Sequence, residues 1–159
     1  MILVLCGTQK QAFLRLWEQL QPLIPLYDLR IQAGHNPWPS NPPHLQIVDF
    51  IQPSQMIQWI EEADLIITHA GAGSMLQAIQ AKKRVIAVPR LAQYQEHVND
   101  HQLELACKFE ALGYLKVLHD QDDLLTLVES MYNFQPAAYQ PKKDLIPTLR
   151  ERLADLLSP

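Results

Sequence analysis

Apolar runs and helical stretches alternate along this chain, the arrangement that builds βα units around a parallel sheet. The run Met1–Cys6 predicts a first strand. Gln9–Leu20 follows with Ala12, Phe13, Leu16 and Leu20 on one face of a helix. Tyr27–Gln32 and Leu45–Val48 predict two shorter strands, and the four prolines within residues 37–43 rule out regular structure between them. Pro53–Glu62 opens with Pro and Ser, as helices often do. The pattern then predicts strand Leu65–Thr68, helix Ser74–Ala81, strand Val85–Val88, helix Asn99–Leu112, strand Leu115–Leu118 and helix Asp122–Tyr132. After a break at Phe134–Pro141, a last helix over Asp144–Leu157 carries Leu145, Leu149, Leu153 and Leu156 as an apolar stripe. The expected architecture is a doubly wound α/β domain with a parallel sheet of about six strands and ligands at the strand C-termini.

Length and composition narrow the class. At 159 residues, 48% hydrophobic and 19% charged, the chain is expected to form one globular domain over 1–159. A formal net charge of -4 argues against a nucleic-acid partner. The apolar runs fall well short of the ~18 residues of a membrane span. The N-terminus lacks the basic region of a secretory signal, so a cytoplasmic location is expected. Cys6 and Cys107 have no metal-type spacing and are expected to be buried thiols in a reducing compartment.

The chemistry concentrates between Asp64 and Ala106. The apolar run Leu65-Ile66-Ile67 leads into His69-Ala70-Gly71-Ala72-Gly73-Ser74 and then a helix. A buried strand that empties through a Gly-containing turn into a helix presents unpaired backbone N–H groups and a favourable dipole to an anion. Glycines there let the backbone approach a diphosphate closely. Downstream lie Val85-Ile86-Ala87-Val88-Pro89-Arg90 and Glu96-His97-Val98-Asn99-Asp100-His101-Gln102. A nucleotide or nucleotide-sugar site is the working expectation. An NAD-type domain would need G-x-G-x-x-G after the first strand, which Gly7-Thr8-Gln9-Lys10 does not supply, and a Walker-type phosphate loop is absent.

The order strand, His-x-Gly-x-x-Ser, helix, strand-Pro, then Gln at the next helix start resembles the donor half of GT-B glycosyltransferases. More narrowly, the chain resembles the glycosyltransferase family 28 C-terminal domain. Similar members are the stand-alone bacterial exopolysaccharide glucuronosyltransferase subunits and the soluble subunit of the eukaryotic UDP-GlcNAc:dolichol-linked GlcNAc transferase. His69–Ser74 and Asp100-His-Gln-Leu-Glu-Leu-Ala106 are shared with both, and Pro89-Arg90…Tyr94…Glu96-His97-Val98 leans towards the bacterial type. The resemblance implies a Rossmann-like fold, a single GT-B half, a UDP-sugar as donor substrate, and neither cofactor nor metal.

It also assigns roles residue by residue. His69 is implied as a ligand of the donor diphosphate, where an imidazole stabilises a departing UDP without a metal. The plainer alternative for a lone histidine is a bond to a main-chain carbonyl. Gly71, Gly73 and Ser74 belong to the same motif, with Ser74 expected to cap the helix or bind phosphate. Gly7, Thr8 and Gln9 are implied to face the phosphates across the crevice, or else to form a simple tight turn. Phe50 and Ile51 match the uracil wall of relatives, although without the resemblance both read as core. His101 and Gln102 match a pair that bonds donor-sugar hydroxyls. Arg90 is suited to pair with a phosphate or with a uronate carboxylate, and the latter would favour glucuronate. Gln77 stands where many relatives hold the ribose with Glu. Glu96 and His97 line the donor sugar or face a partner. Asp120-Gln121-Asp122 superficially resembles a metal-binding DxD, but acidic residues also favour a helix start.

A GT-B enzyme has two Rossmann-like halves, and this chain has length for one. The resemblance therefore implies a membrane-bound partner that supplies the acceptor half and the catalytic base, with a lipid-linked saccharide as acceptor. The 142–159 helix is then either a layer of the core or the docking element for that partner, which would hold the chain at the membrane periphery. The alternative is a non-catalytic UDP-sugar-binding or scaffolding subunit.

Overall fold

A computed structural model of the chain describes residues 1–38 and 45–140. The expected helix at 142–159 and residues 39–44, the later part of the proline-rich stretch, lie outside the described residues. Six strands form one sheet: β1 (Ile2–Leu5), β2 (Leu29–Gln32), β3 (Leu45–Val48), β4 (Leu65–Thr68), β5 (Arg84–Ala87) and β6 (Lys116–Val117). Their order is β3-β2-β1-β4-β5-β6, with every pairing parallel. This is the doubly wound order, and its switch point lies between β1 and β4.

Five helices are present among the described residues: α1 (Leu14–Leu20), α2 (Pro53–Glu62), α3 (Ala72–Gln80), α4 (His101–Ala111) and α5 (Leu124–Ser130). The period-2 geometry of the strands sorts their side chains onto two faces. Ile2, Val4, Ile31, Ile67 and Ile86 pack with Leu16 and Leu20 of α1 and Leu124 and Val128 of α5. Leu3, Leu5, Ile66, Val85 and Ala87 pack with Trp59 of α2, Met75 and Ile79 of α3, and Phe109 of α4. Strands buried on both faces explain why the sequence shows continuous apolar runs rather than alternation. No helix among the described residues is long and apolar enough to cross a membrane.

Several helix ends depart from the expectation by two residues or more, and two of these, both starts, bear on the site. α1 begins at Leu14, not Gln9, because the main chain before it is held elsewhere. Gly7 turns with φ +75, the Gln11 carbonyl accepts from Arg90, and the Phe13 N–H donates to Asn36 Oδ1 at 2.7 Å. α3 begins at Ala72 with Gly71 as its cap, so Ser74 is the third helical residue and makes no side-chain cap.

Candidate functional site

At the switch point the chain leaves β1 through Cys6-Gly7-Thr8 and leaves β4 through His69-Ala70-Gly71. The two turns meet at the imidazole of His69, which is only 8% exposed. The main-chain N–H of His69 donates to the Leu5 carbonyl at 2.9 Å, and the ring Nδ1 lies 3.1 Å from the same oxygen. A Cβ on Gly7 would fall 2.5 Å from Nε2, and one on Gly71 would fall 2.3 Å from it. A side chain at either place would force the ring to shift. Ala70, between His69 and Gly71, holds φ +64, a left-handed conformation that costs an alanine roughly 1 kcal/mol. Burial lowers the His69 pKa to about 4; the Leu5 bond opposes this, and the charges of Arg90 and His97 push the same way as burial. The ring is therefore neutral at pH 7.

The adjoining helix start is open. Gly73 has nothing within 4 Å of where a Cβ would lie, so no neighbour demands glycine there. The first N–H groups of α3 have no intrahelical partners, and Ser74 is half-buried in that first turn. Thr8, Gln9 and Gln77 are exposed. The structure thus brings Gly7, His69 and Gly71 into contact, with the α3 start following directly from Gly71.

The props behind this turn were not singled out from the sequence. Gln32, 4% exposed at the end of β2, accepts from the Gly7 N–H at 3.2 Å and donates to the carbonyls of Gly7 at 3.0 Å and Asp49 at 2.9 Å. Gly34 holds φ +65, and its missing Cβ would lie 2.3 Å from the Gly7 oxygen. The available signal was chemical: Gln32 is a polar residue that ends a strand two positions before Gly34.

Arg90 is a correction. Expected as a ligand of phosphate or uronate, it is 0% exposed. Its guanidinium donates to the carbonyls of Gln11 at 2.7 Å, Cys6 at 3.1 Å and Glu96 at 3.3 Å, and lies 4.5 Å from the centre of the Phe13 ring. It ties the turn after β1 to the loop after β5. Glu96, 3% exposed, is turned inward too, accepting from Arg15 at 2.9 Å and from the Leu91 N–H at 3.1 Å. Arg15 also bonds the Pro89 carbonyl at 2.6 Å.

The remaining candidates spread along the same edge. Gln102 Oε1 accepts from the Arg90 N–H at 3.2 Å, while His101, the first residue of α4, is exposed beside Glu104. His97 is buried, its Nδ1 3.1 Å from the Asn99 carbonyl. Phe50 is not core: it is 53% exposed, with its ring edge-on to His35 at 5.1 Å. Ile51 is half-buried against the α2–α3 side of the sheet. Asp120 accepts from Tyr94 at 2.7 Å, and Asp122 accepts from the His119 N–H at 2.9 Å. Both carboxylates serve the loop, and no cluster suited to a metal occurs among the described residues.

Comparison with known proteins gives the chain a family and its fold relatives. Residues 1–157 match the model of the glycosyltransferase family 28 C-terminal domain. The UDP-N-acetylglucosamine transferase subunit ALG13 of Candida albicans is 34% identical over 44% of the chain, a match covering 22% of that protein. The subunit of the same name from Eremothecium gossypii is 37% identical over 50% of the chain and 38% of that protein. The match thus spans well under half of either curated relative. Among solved structures, the glycotransferase of kitacinnamycin superposes with a TM-score of 0.64 at 21% identity, over 98% of this chain and 37% of that one. The solution structure of ALG13 gives 0.58 at 21% identity, over 93% of both chains. These last two likenesses speak for the fold. On the family model spanning nearly its whole length, the chain belongs to the glycosyltransferase family 28 C-terminal domain family.

Proposed function

We propose that this chain binds a UDP-sugar and serves as the donor half of an inverting, metal-independent glycosyltransferase. The observation that carries the proposal is the pinch of Gly7 and Gly71 on His69, at the switch point of a doubly wound sheet. Open sheets of this type take ligands there. The diphosphate sits over the two turns, with the start of α3 and His69 stabilising the charge that develops as UDP departs. Exposed Phe50 offers a face to the base. The acceptor hydroxyl attacks C1 of the sugar and inverts it.

The acceptor half and the base come from a membrane-bound partner, the acceptor is a lipid-linked saccharide in polysaccharide biosynthesis, and the chain works at the cytoplasmic face of the membrane. Two curated relatives are named as subunits of a UDP-N-acetylglucosamine transferase, which favours a shared enzyme and makes UDP-GlcNAc the first donor to try. Enclosure of Arg90 argues against a direct Arg90–uronate contact as a ground for preferring glucuronate.

Ligand-observed NMR with UDP, and ADP as control, tests the reading on the purified chain and on His69→Ala. Binding of UDP over ADP that is lost in the variant is the expected result; equal binding of both by both proteins refutes it. Transfer from UDP-GlcNAc on adding the partner separates a catalytic subunit from a scaffold that binds donor without turnover.

A further inference from the structure

His69 has one ring nitrogen committed and one free. Nδ1 lies 3.1 Å from the Leu5 carbonyl, which can only accept, so Nδ1 carries the hydrogen. In the neutral ring Nε2 is then a lone pair, and it is this atom that abuts the turns at Gly7 and Gly71. A lone pair repels a phosphate oxygen. Swapping the tautomer does not help, because Nδ1 would then face the Leu5 carbonyl with two acceptors opposed in a buried place. One solution keeps both contacts.

Building on the donor-site reading above, we propose that the donor diphosphate enters together with one proton, taken from solvent onto His69 Nε2. The imidazolium then donates to the Leu5 carbonyl through Nδ1 and to a phosphate oxygen through Nε2. One N–H bond forms, the buffer gives up the proton, and no other bond changes. The proton returns to solvent when the diphosphate leaves.

The surroundings set this switch. Arg90 from the end of β5 and His97 from the loop before α4 both disfavour a charged ring. Cys6, from the end of β1, is a neutral thiol pushed up to about 12 by burial. The turn Gly7-Thr8-Gln9, Gln32 of β2 and the segment 70–76 that opens α3 bring no ionisable side chain. Nothing on these elements charges the ring while the site is empty. An anion against Nε2 reverses the balance, since a nearby opposite charge favours the protonated form. The site is thus cationic at this ring only when loaded.

Calorimetry on the purified chain tests the idea with UDP-GlcNAc and UDP-glucuronic acid, whose diphosphates exchange no proton near neutral pH. Titrations at pH 6 and pH 7 in two buffers of different ionisation heat should report net proton uptake, larger at pH 6, and Kd should rise with pH by at most tenfold per unit. His69→Gln, which keeps a donor without a titrating group, should bind with no uptake and a flat pH profile. Wild-type binding with no uptake and a flat profile overturns the proposal and leaves the donor reading intact. The same uptake in His69→Gln also overturns it, since the proton then lodges elsewhere. If UDP and both UDP-sugars fail to bind, the donor reading itself falls.

Discussion

Gly71 leaves a gap that the imidazole of His69 fills, with Nε2 only 2.3 Å from where a Cβ would stand. Gly71→Ala should therefore push the ring out of line, at a cost of about 1–3 kcal/mol for overpacking, and weaken UDP binding at least tenfold. Gly7→Ala should be worse, because its φ of +75 adds strain to the same clash. Gly73→Ala should behave in the opposite way. Nothing stands within 4 Å of its Cβ position, so helix propensity should raise stability by roughly 0.5–1 kcal/mol. UDP affinity should nevertheless fall if the diphosphate uses that space. Thermal melts alongside UDP titrations of the three variants check all of this.

Acid should destabilise the ligand-free fold through His69. Its pKa is about 4 in the folded chain against 6.5 for the ordinary group, so the unfolded chain binds more protons between these values. Stability from this residue is complete above pH 6.5 and is lost as pH falls towards 4, by about 2 kcal/mol at pH 5. Urea midpoints at pH 7.5 and pH 5 for the wild type and for His69→Gln should differ by that increment, with the steeper loss in the wild type.

Arg90 should act on every donor alike. Arg90→Met removes the three bonds to the carbonyls of Cys6, Gln11 and Glu96, which should cost about 2–4 kcal/mol. Arg90→Lys should restore part of that stability, since an ammonium reaches fewer of the three. UDP-GlcNAc and UDP-glucuronic acid should lose affinity by the same factor in both variants. A loss confined to the glucuronate donor would restore a direct contact.

The two thiols should react in a fixed order. Cys6 is buried and its pKa is pushed up to about 12, whereas Cys107 is half-buried with a smaller rise from burial and from Glu110. A thiolate-selective reagent at pH 8 should label Cys107 first, and Cys6 only at the rate of unfolding. Mass spectrometry of a labelling time course reads this out.

Much of the sheet was legible because β1 and β4 are buried on both faces and read as apolar runs, and the turn after β4 was legible because a strand that runs through glycines into a helix has its own pattern. What escaped depends on contacts distant in sequence. α1 starts late because Asn36 and Arg90 hold the main chain ahead of it, 23 and 79 residues from their partners. Arg90 reads as a ligand in isolation because an arginine after a strand gives no hint that three carbonyls converge on it. Phe50 reads as core by composition, yet it lies beyond the end of β3, where the sheet no longer covers it. The neutral state and tautomer of His69 could not be read from the motif, since burial sets the first and the Leu5 carbonyl the second.

The single amide of Gln32 touches the exits of two strands, at Gly7 and at Asp49, and Asp49 is the residue before Phe50. The turn after β1 and the strand exit leading to Phe50 are therefore braced by one side chain, like two jaws on one bar. A substitution at Gln32 would therefore loosen both exits at once, although they belong to different strands.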